Sequence, residues 1–255
     1  AGPPPPPDCP PGWRTAPPDF IGIGAQKAGT SWWHALIDQH PAVHRRPGQP
    51  KELHVFDGAW EAGWTDADSA RYARWFPRPD GGIAGEWTPG YLIDFWTPAL
   101  IARAAPDARI LVLLRDPVDR FRSGLTHTDD ATAAALSHRD AAGAFQRGLY
   151  AQQLRRVLDA IPRERLLVLQ HEVCREDPAG QLARTYAFLG LAPHELPAGA
   201  FAREVNPTTG RKVELGPGLL AALRDGYAID IEALRELLPE LDYGRWPTAV
   251  AAGLG

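Results

Sequence analysis

Short apolar runs alternating with amphipathic stretches predict an α/β protein, a three-layer sandwich with a central parallel sheet between helices. Three observations carry this expectation. Residues 109–114 (RILVLL) and 166–170 (LLVLQ) are continuous apolar runs, the pattern of strands covered on both faces. Residues 20–24 (FIGIG) are a shorter run that is bounded by glycine and followed by a helical pattern. Helical stretches separate the runs, so the strands should be parallel and joined by right-handed crossovers. At 255 residues, 44% of them hydrophobic, the chain is long enough to bury one substantial core.

Taken in order, residues 1–19 (AGPPPPPDCPPGWRTAPPD) are a proline-rich leader, expected to be polyproline-like or disordered. Residues 20–255 are expected to form a single domain. The strand at 20–24 should pass into a helix over residues 30–40, and a weaker strand is expected at 83–86. A helix over 98–105 precedes the strand 109–114, and another over 117–126 follows it. Residues 144–161 read as one helix with Leu149, Leu154, Val157, Leu158 and Ile161 on one face. The strand 166–170 leads to a helix over 181–189, with Pro178 suited to its start. After Phe201 the pattern becomes a loop, then a helical stretch over 217–237.

Composition excludes several classes. A formal net charge of −4 argues against a general nucleic-acid binder, and no run of about 18 apolar residues is present to span a bilayer. Cys9 and Cys174 are too few for a disulfide framework and carry no zinc spacing. No basic stretch followed by an apolar run opens the sequence, so a reducing cytoplasm is the expectation. Only three of the 27 basic residues are lysines, Lys27, Lys51 and Lys212, and each falls in a segment that stands out on other grounds.

The first such segment is residues 24–31 (GAQKAGTS), between the first strand and the first helix. Backbone N–H groups of a glycine-containing turn, with the positive end of a helix, make an anion cradle suited to phosphate or sulfate. The spacing fits neither a Walker A loop, whose lysine follows the last glycine, nor a dinucleotide-binding turn. A purely structural turn is the competing reading. The second segment is residues 109–128 (RILVLLRDPVDRFRSGLTHT), where Arg115 lies just past the carboxyl end of a buried strand. Ser123 follows two helical turns later and lies near the same face, so the two could hold one phosphate. The competing reading is a surface helix with internal ion pairs. The third segment is residues 50–57 (PKELHVFD), where Glu52 and His54, two apart in an extended stretch, would point to one side. Either suits a general base, and a solvent-facing role is the alternative.

Together these segments resemble the sulfotransferase superfamily that uses 3′-phosphoadenosine-5′-phosphosulfate (PAPS), in particular its heparan sulfotransferase-like branch and bacterial relatives. FIGIGAQKAGTSWW looks like the 5′-phosphosulfate loop, RILVLLRDPVDRFRSGLTH like the 3′-phosphate motif, and KELHVFD like the segment with the catalytic glutamate. GEWTPGYL (85–92), RGLYAQQLRRVL (147–158), RLLVLQHEVC (165–174) and NPTTGRK (206–212) extend the likeness. It implies a P-loop-like strand-turn-helix site. Lys27 would meet the bridging oxygen of the donor, with backbone groups of Ala28, Gly29, Thr30 and Ser31 around the 5′-phosphate. Arg115 and Ser123 would hold the 3′-phosphate, Arg211 and Lys212 would close over the cofactor, and Tyr150 would touch the nucleotide. Glu52 would take the acceptor's proton, with His54 as the second candidate base or as its orienting partner.

No metal is implied, and the desulfated product would be 3′-phosphoadenosine-5′-phosphate (PAP). Two departures bear on the acceptor. Trp87 stands where heparan-modifying members carry a lysine, and the late loop lacks the cysteine of their disulfide. With the negative net charge, these point away from a highly anionic polysaccharide. Seven of nine tryptophans fall between residues 32 and 96, and large flat side chains suit a small-molecule acceptor that is aromatic, glycosylated or lipid-bearing. Ordinary core packing is expected for at least half of them. Residues 126–143 could be a lid or an idle surface loop. A nucleotide-dependent kinase and a non-catalytic nucleotide-binding module are the alternatives. The oligomeric state is not legible in the sequence.

Overall fold

The computed structural model describes residue 6 and residues 8–46, 48–125, 138–202 and 214–255. Its centre is a four-stranded, all-parallel sheet of β2 (Phe20–Gly24), β4 (Gly85–Trp87), β5 (Arg109–Leu114) and β6 (Leu166–Gln170), in the order β4-β2-β5-β6. Nearly every residue of these strands is buried. Two faces covered by helices leave no room for polar alternation, which accounts for the unbroken apolar runs. The register is continuous between β5 and β6, from Ile110 opposite Leu166 to Leu114 opposite Gln170.

The glycines of β2 answer to its neighbours. A Cβ on Gly22 would stand 2.0 Å from the Trp87 ring. Trp87 therefore lies across β2, and its indole N–H donates to the Gly24 carbonyl at 3.2 Å. This tryptophan is fully buried in the core and does not replace a surface lysine with a ligand-facing ring.

On one side of the sheet α1 (Thr30–Ile37) packs with α9 (Pro178–Phe188), and Trp33 joins them by a hydrogen bond to Thr185 at 3.2 Å. A second group packs together, comprising α4 (Thr97–Ala104), α7 (Tyr150–Ala160) and α10 (Pro217–Leu237), with α5 (Pro117–Leu125) against α10. Two short helices, α2 (Ala59–Ala62) and α3 (Asp66–Ala73), occupy a region that the periodicity leaves unassigned. Thr65 and Asp68 form a capping box at the start of α3, a local signal that was present in the sequence.

Three expectations need correction. The strand expected at 83–86 is shifted to Gly85–Trp87, while Ile83 makes an isolated bridge to Val43. The single helix expected over 144–161 is two, α6 (His138–Gln146) and α7, parted at Gly148. Tight turns close the break, with Gly148 N–H on the Phe145 carbonyl at 2.9 Å and Leu149 N–H on Gln146 at 3.1 Å. Finally, order starts before residue 20. β1 (Arg14–Thr15) pairs antiparallel with β3 (Pro77–Arg78), and the Arg78 guanidinium ties down the carbonyls of Ala16 and Pro17 and the Asp19 carboxylate. Of the expected lid, residues 126–137 lie outside the described residues. After α8 (His171–Glu176) and α9 the chain ends in α11 (Pro247–Ala251). Among the described residues no helix is long and apolar enough to cross a membrane.

Candidate active site

Strand order fixes where a ligand can enter. From β2 the chain crosses to β4 on one side, and from β4 it returns past β2 to β5 and then β6. The loops leaving the carboxyl ends of β2 and β5 therefore part company, and a crevice opens between them. A cavity of about 680 Å³ lies there, within the usual size range for ligand sites. Segments after all four parallel strands contribute to it: Gln26, Lys27 and residues 29–32 after β2, Pro89, Gly90, Ile93, Asp94 and Trp96 after β4, Arg115 and Ser123 after β5, and His171 after β6.

The turn after β2 has two left-handed residues, Lys27 at φ +69° and Gly29 at φ +93°. Gly29 caps α1 without a side-chain hydrogen bond, and no acidic residue sits in the first turn to offset the positive end of the helix. Glycine is required at 29 twice over, because a Cβ would also stand 2.8 Å from the His171 ring. Burial pulls the Lys27 ammonium down to about 8, against the opposing effect of Glu52. Burial, then Arg115 and Arg175, pull His171 down to about 4, so its ring is neutral at physiological pH.

Arg115 reaches toward the same turn, its guanidinium 3.5 Å from the Lys27 carbonyl. Its own backbone is held from below. The Tyr150 hydroxyl donates to the Arg115 carbonyl at 2.8 Å, and the next N–H, from Asp116, donates to Glu172 at 2.9 Å. Asp116 in turn accepts from the N–H groups of Val118, Asp119 and Thr248, which caps α5 and ties the C-terminal segment to it. Tyr150 is fully buried and absent from the cavity wall, and its hydroxyl supports the backbone of Arg115. Ala28 is fully buried as well and is likewise absent from the cavity wall.

Residues 51–55 are pinned along the end of β4. Trp87 N–H donates to the Lys51 carbonyl at 3.1 Å, Leu53 N–H donates to Glu86 at 3.2 Å and Thr88 at 3.0 Å, and Val55 N–H donates to the Tyr91 hydroxyl at 2.9 Å. The alternate side chains, Glu52 and His54, face the cavity. His54 is left-handed (φ +53°), so the stretch is not a simple strand, yet the imidazole still lies 3.3 Å from the Glu52 carboxylate. On its other side Glu52 meets the Lys51 ammonium at 2.7 Å, and that ammonium contacts the Thr30 hydroxyl at 3.4 Å. His54 is held at 2.9 Å by Asp57.

Of the residues singled out by sequence, Lys27, Gly29, Thr30, Ser31, Glu52, His54, Arg115 and Ser123 line this one cavity. Arg211 and Lys212 lie outside the described residues. Sequence reasoning missed Asp57, Asp94, Arg147 and His171, which also line it. It missed Glu86 too, a fully buried carboxyl that receives the hydroxyls of Tyr72 at 2.6 Å and Thr88 at 2.5 Å and positions the strap carrying Glu52. Burial raises the Glu86 carboxyl above its ordinary range.

Comparison with known proteins gives the same direction. Residues 67–195 match the sulfotransferase family. The chain is 34% identical over 188 residues to human heparan sulfate glucosamine 3-O-sulfotransferase 3B1, covering 68% of this chain and 46% of that protein. It is 28% identical over 204 residues to human bifunctional heparan sulfate N-deacetylase/N-sulfotransferase 3, covering 69% of this chain and 23% of that one. The chain thus spans half or less of the length of these two relatives. A sulfotransferase from Alicyclobacillus acidocaldarius superposes with a TM-score of 0.70 at 27% identity, covering 90% of this chain and 99% of that one. A sulfotransferase from Mycobacterium tuberculosis, 14% identical with a TM-score of 0.54 over 84% of this chain and 77% of that one, shares the fold.

Proposed function

Because the chain belongs to the sulfotransferase family, we propose that it moves the sulfuryl group of PAPS to a hydroxyl of a small or medium natural product. The observation that carries this reading is the shared cavity, in which two anion-binding groups and a carboxylate base meet. A doubly phosphorylated adenosine needs cations or N–H donors at both ends. The turn around Lys27 with the start of α1 supplies one, and Arg115 with Ser123 supplies the other.

PAPS supplies an activated sulfuryl group on a phosphate leaving group. Lys27 stabilises the negative charge that grows on that phosphate. Glu52 accepts the proton of the acceptor hydroxyl, and His54, held between Glu52 and Asp57, orients it. Lys51 keeps the Glu52 carboxylate anchored beside the phosphate turn. Arg211 and Lys212 complete the grip on the nucleotide. Residues 20–255 work as one domain, and free Cys9 and Cys174 suit a reducing cytoplasm.

Glu52→Gln tests the assignment. Transfer of labelled sulfuryl from PAPS to a panel of phenols and glycosides should fall by roughly 10²–10⁴ while calorimetric affinity for PAP stays nearly unchanged. Full activity in this variant would remove Glu52 from the mechanism. Turnover of ATP with Mg²⁺ but none of PAPS would replace the reading with a kinase.

A further inference from the structure

Beyond the base, the mouth of the cavity carries rings that the fold leaves in water. Trp96 lines the cavity, with its indole N–H fixed on the Phe56 carbonyl at 3.0 Å. Trp60 lies 6.3 Å from it, tilted by 42°, and Phe95 lies 5.0 Å away, edge-on at 87°. Trp60 is 60% and Phe95 67% exposed, although Trp33, Trp75, Trp87 and Trp246 are buried in the core. Large apolar side chains grouped at the rim of a cavity mark a binding surface, and this one is continuous with the wall that holds Glu52 and His54.

The same two straps carry carboxylates into the cavity. Asp57 lies three residues before Trp60, and Asp94 immediately precedes Phe95 and Trp96. Asp57 is engaged by His54. Asp94 is half-buried, and the Asp57 charge works against its ionisation while Arg147 and His54 favour it. An anion in this part of the cavity would meet three carboxylates, Glu52, Asp57 and Asp94, against the two fixed cations Arg147 and Lys51, the second already paired with Glu52. A cation would meet them with the opposite sign, and would also be drawn to the ring faces.

Resting on the sulfuryl-transfer reading, we propose that Trp60, Phe95 and Trp96 form the acceptor platform and that Asp94 makes it selective for a flat-ringed acceptor bearing a positively charged nitrogen. Anionic acceptors are disfavoured. The hydroxyl to be modified then points inward toward Glu52, with the ring held at the rim and the charge beside Asp94.

Three phenols with a common ring and different charge test this: tyramine, N-acetyltyramine and 4-hydroxyphenylacetate. Each is titrated calorimetrically into the protein with PAP already bound. Affinity should fall in that order, with roughly fivefold or more between the first and the last. Trp60→Ala combined with Phe95→Ala should weaken all three severalfold. Asp94→Asn should narrow the spread between tyramine and 4-hydroxyphenylacetate, with Glu52 and Asp57 leaving a residual preference, and an unchanged spread removes Asp94 from the proposal. Equal or tighter binding of 4-hydroxyphenylacetate overturns the proposal, and so does failure of every phenol to bind protein that does bind PAP. If PAP itself does not bind, the donor reading fails, and the same titrations on the free protein still decide whether the platform discriminates by charge.

Discussion

Lys27→Met is expected to give a protein that is more stable and far less active. Burial holds the Lys27 ammonium at about 8 instead of 10.5. Taken at face value that difference is about 3 kcal/mol against the charged form, and screening of a half-exposed side chain reduces it to about 1–2 kcal/mol. The unfolded chain keeps the proton more readily. The cost is therefore fully present at pH 7, and the stability it removes returns as pH rises from about 8 to 10.5. Methionine retains the length of the side chain without the charge. Its Tm should exceed the parent's by roughly 2–6 °C at pH 7, with the gain shrinking by pH 10. Over the same comparison kcat should drop on the order of 10²–10³, the usual loss when one preorganised charge stabiliser is removed. Scanning fluorimetry at the two pH values and a labelled-donor transfer assay read the two effects separately. The parent's kcat/KM for the donor should also decline above about pH 8, as the ammonium loses its proton, and Lys27→Arg should move that decline to higher pH. An unchanged kcat, or a Tm that falls at pH 7, would refute the reasoning.

Two further expectations follow from the supports around the site. Tyr150→Phe strips the hydroxyl from the buried Arg115 carbonyl, so it should cost about 1–2 kcal/mol in denaturant unfolding and weaken PAP binding severalfold by calorimetry; unchanged affinity would show that Arg115 holds its place without it. Asp94 is held at about 6 instead of 3.8, by burial first and by Asp57 second, so the stability linked to it is lost as pH rises through that range. Asp94→Asn should gain about 1 kcal/mol at pH 8, after allowance for partial exposure, and nothing at pH 4; thermal melts at both values check this.

How much of this was legible in the sequence depended on how local the cause was. β2, β5 and β6 could be read to the residue because burial on both faces leaves a run of apolar side chains that nothing else in the chain imitates. The turn around Lys27 and the position of Arg115 followed from strand ends, which are also local. The break at Gly148 was not read, because the face pattern of residues 149–161 runs on smoothly into the preceding stretch. That break places Arg147 at the cavity. Asp94 and Arg147 come from two different loops and His171 from the start of α8, and they share no spacing, so only the strand order brings them together. Glu86 looked like an ordinary polar residue at a strand end. Its burial depends on Tyr72 and Thr88, fourteen and two residues away, and no periodicity reports that.

The cavity gathers groups of both signs around Glu52, and the proposed transfer uses both. Lys27, Arg115 and the start of α1 lie around the crevice between β2 and β5, where negative charge would accumulate on the departing phosphate. Asp57 and Asp94 line the same cavity, Asp57 engaged by His54 and Asp94 with Arg147 near it. Glu52 is in contact with Lys51 on one side and His54 on the other. A carboxylate placed wholly among the cations would be too weak a base, and one placed wholly among the carboxylates would hold its proton and never release it to solvent. The Lys51 contact also ties Glu52 to Thr30 on the turn after β2, so the proposed base and the proposed phosphate turn are held by one short chain of contacts. A shift of this segment by an ångström would separate them, so the proposed mechanism depends on the buried Glu86, which holds the Leu53 N–H without lining the cavity.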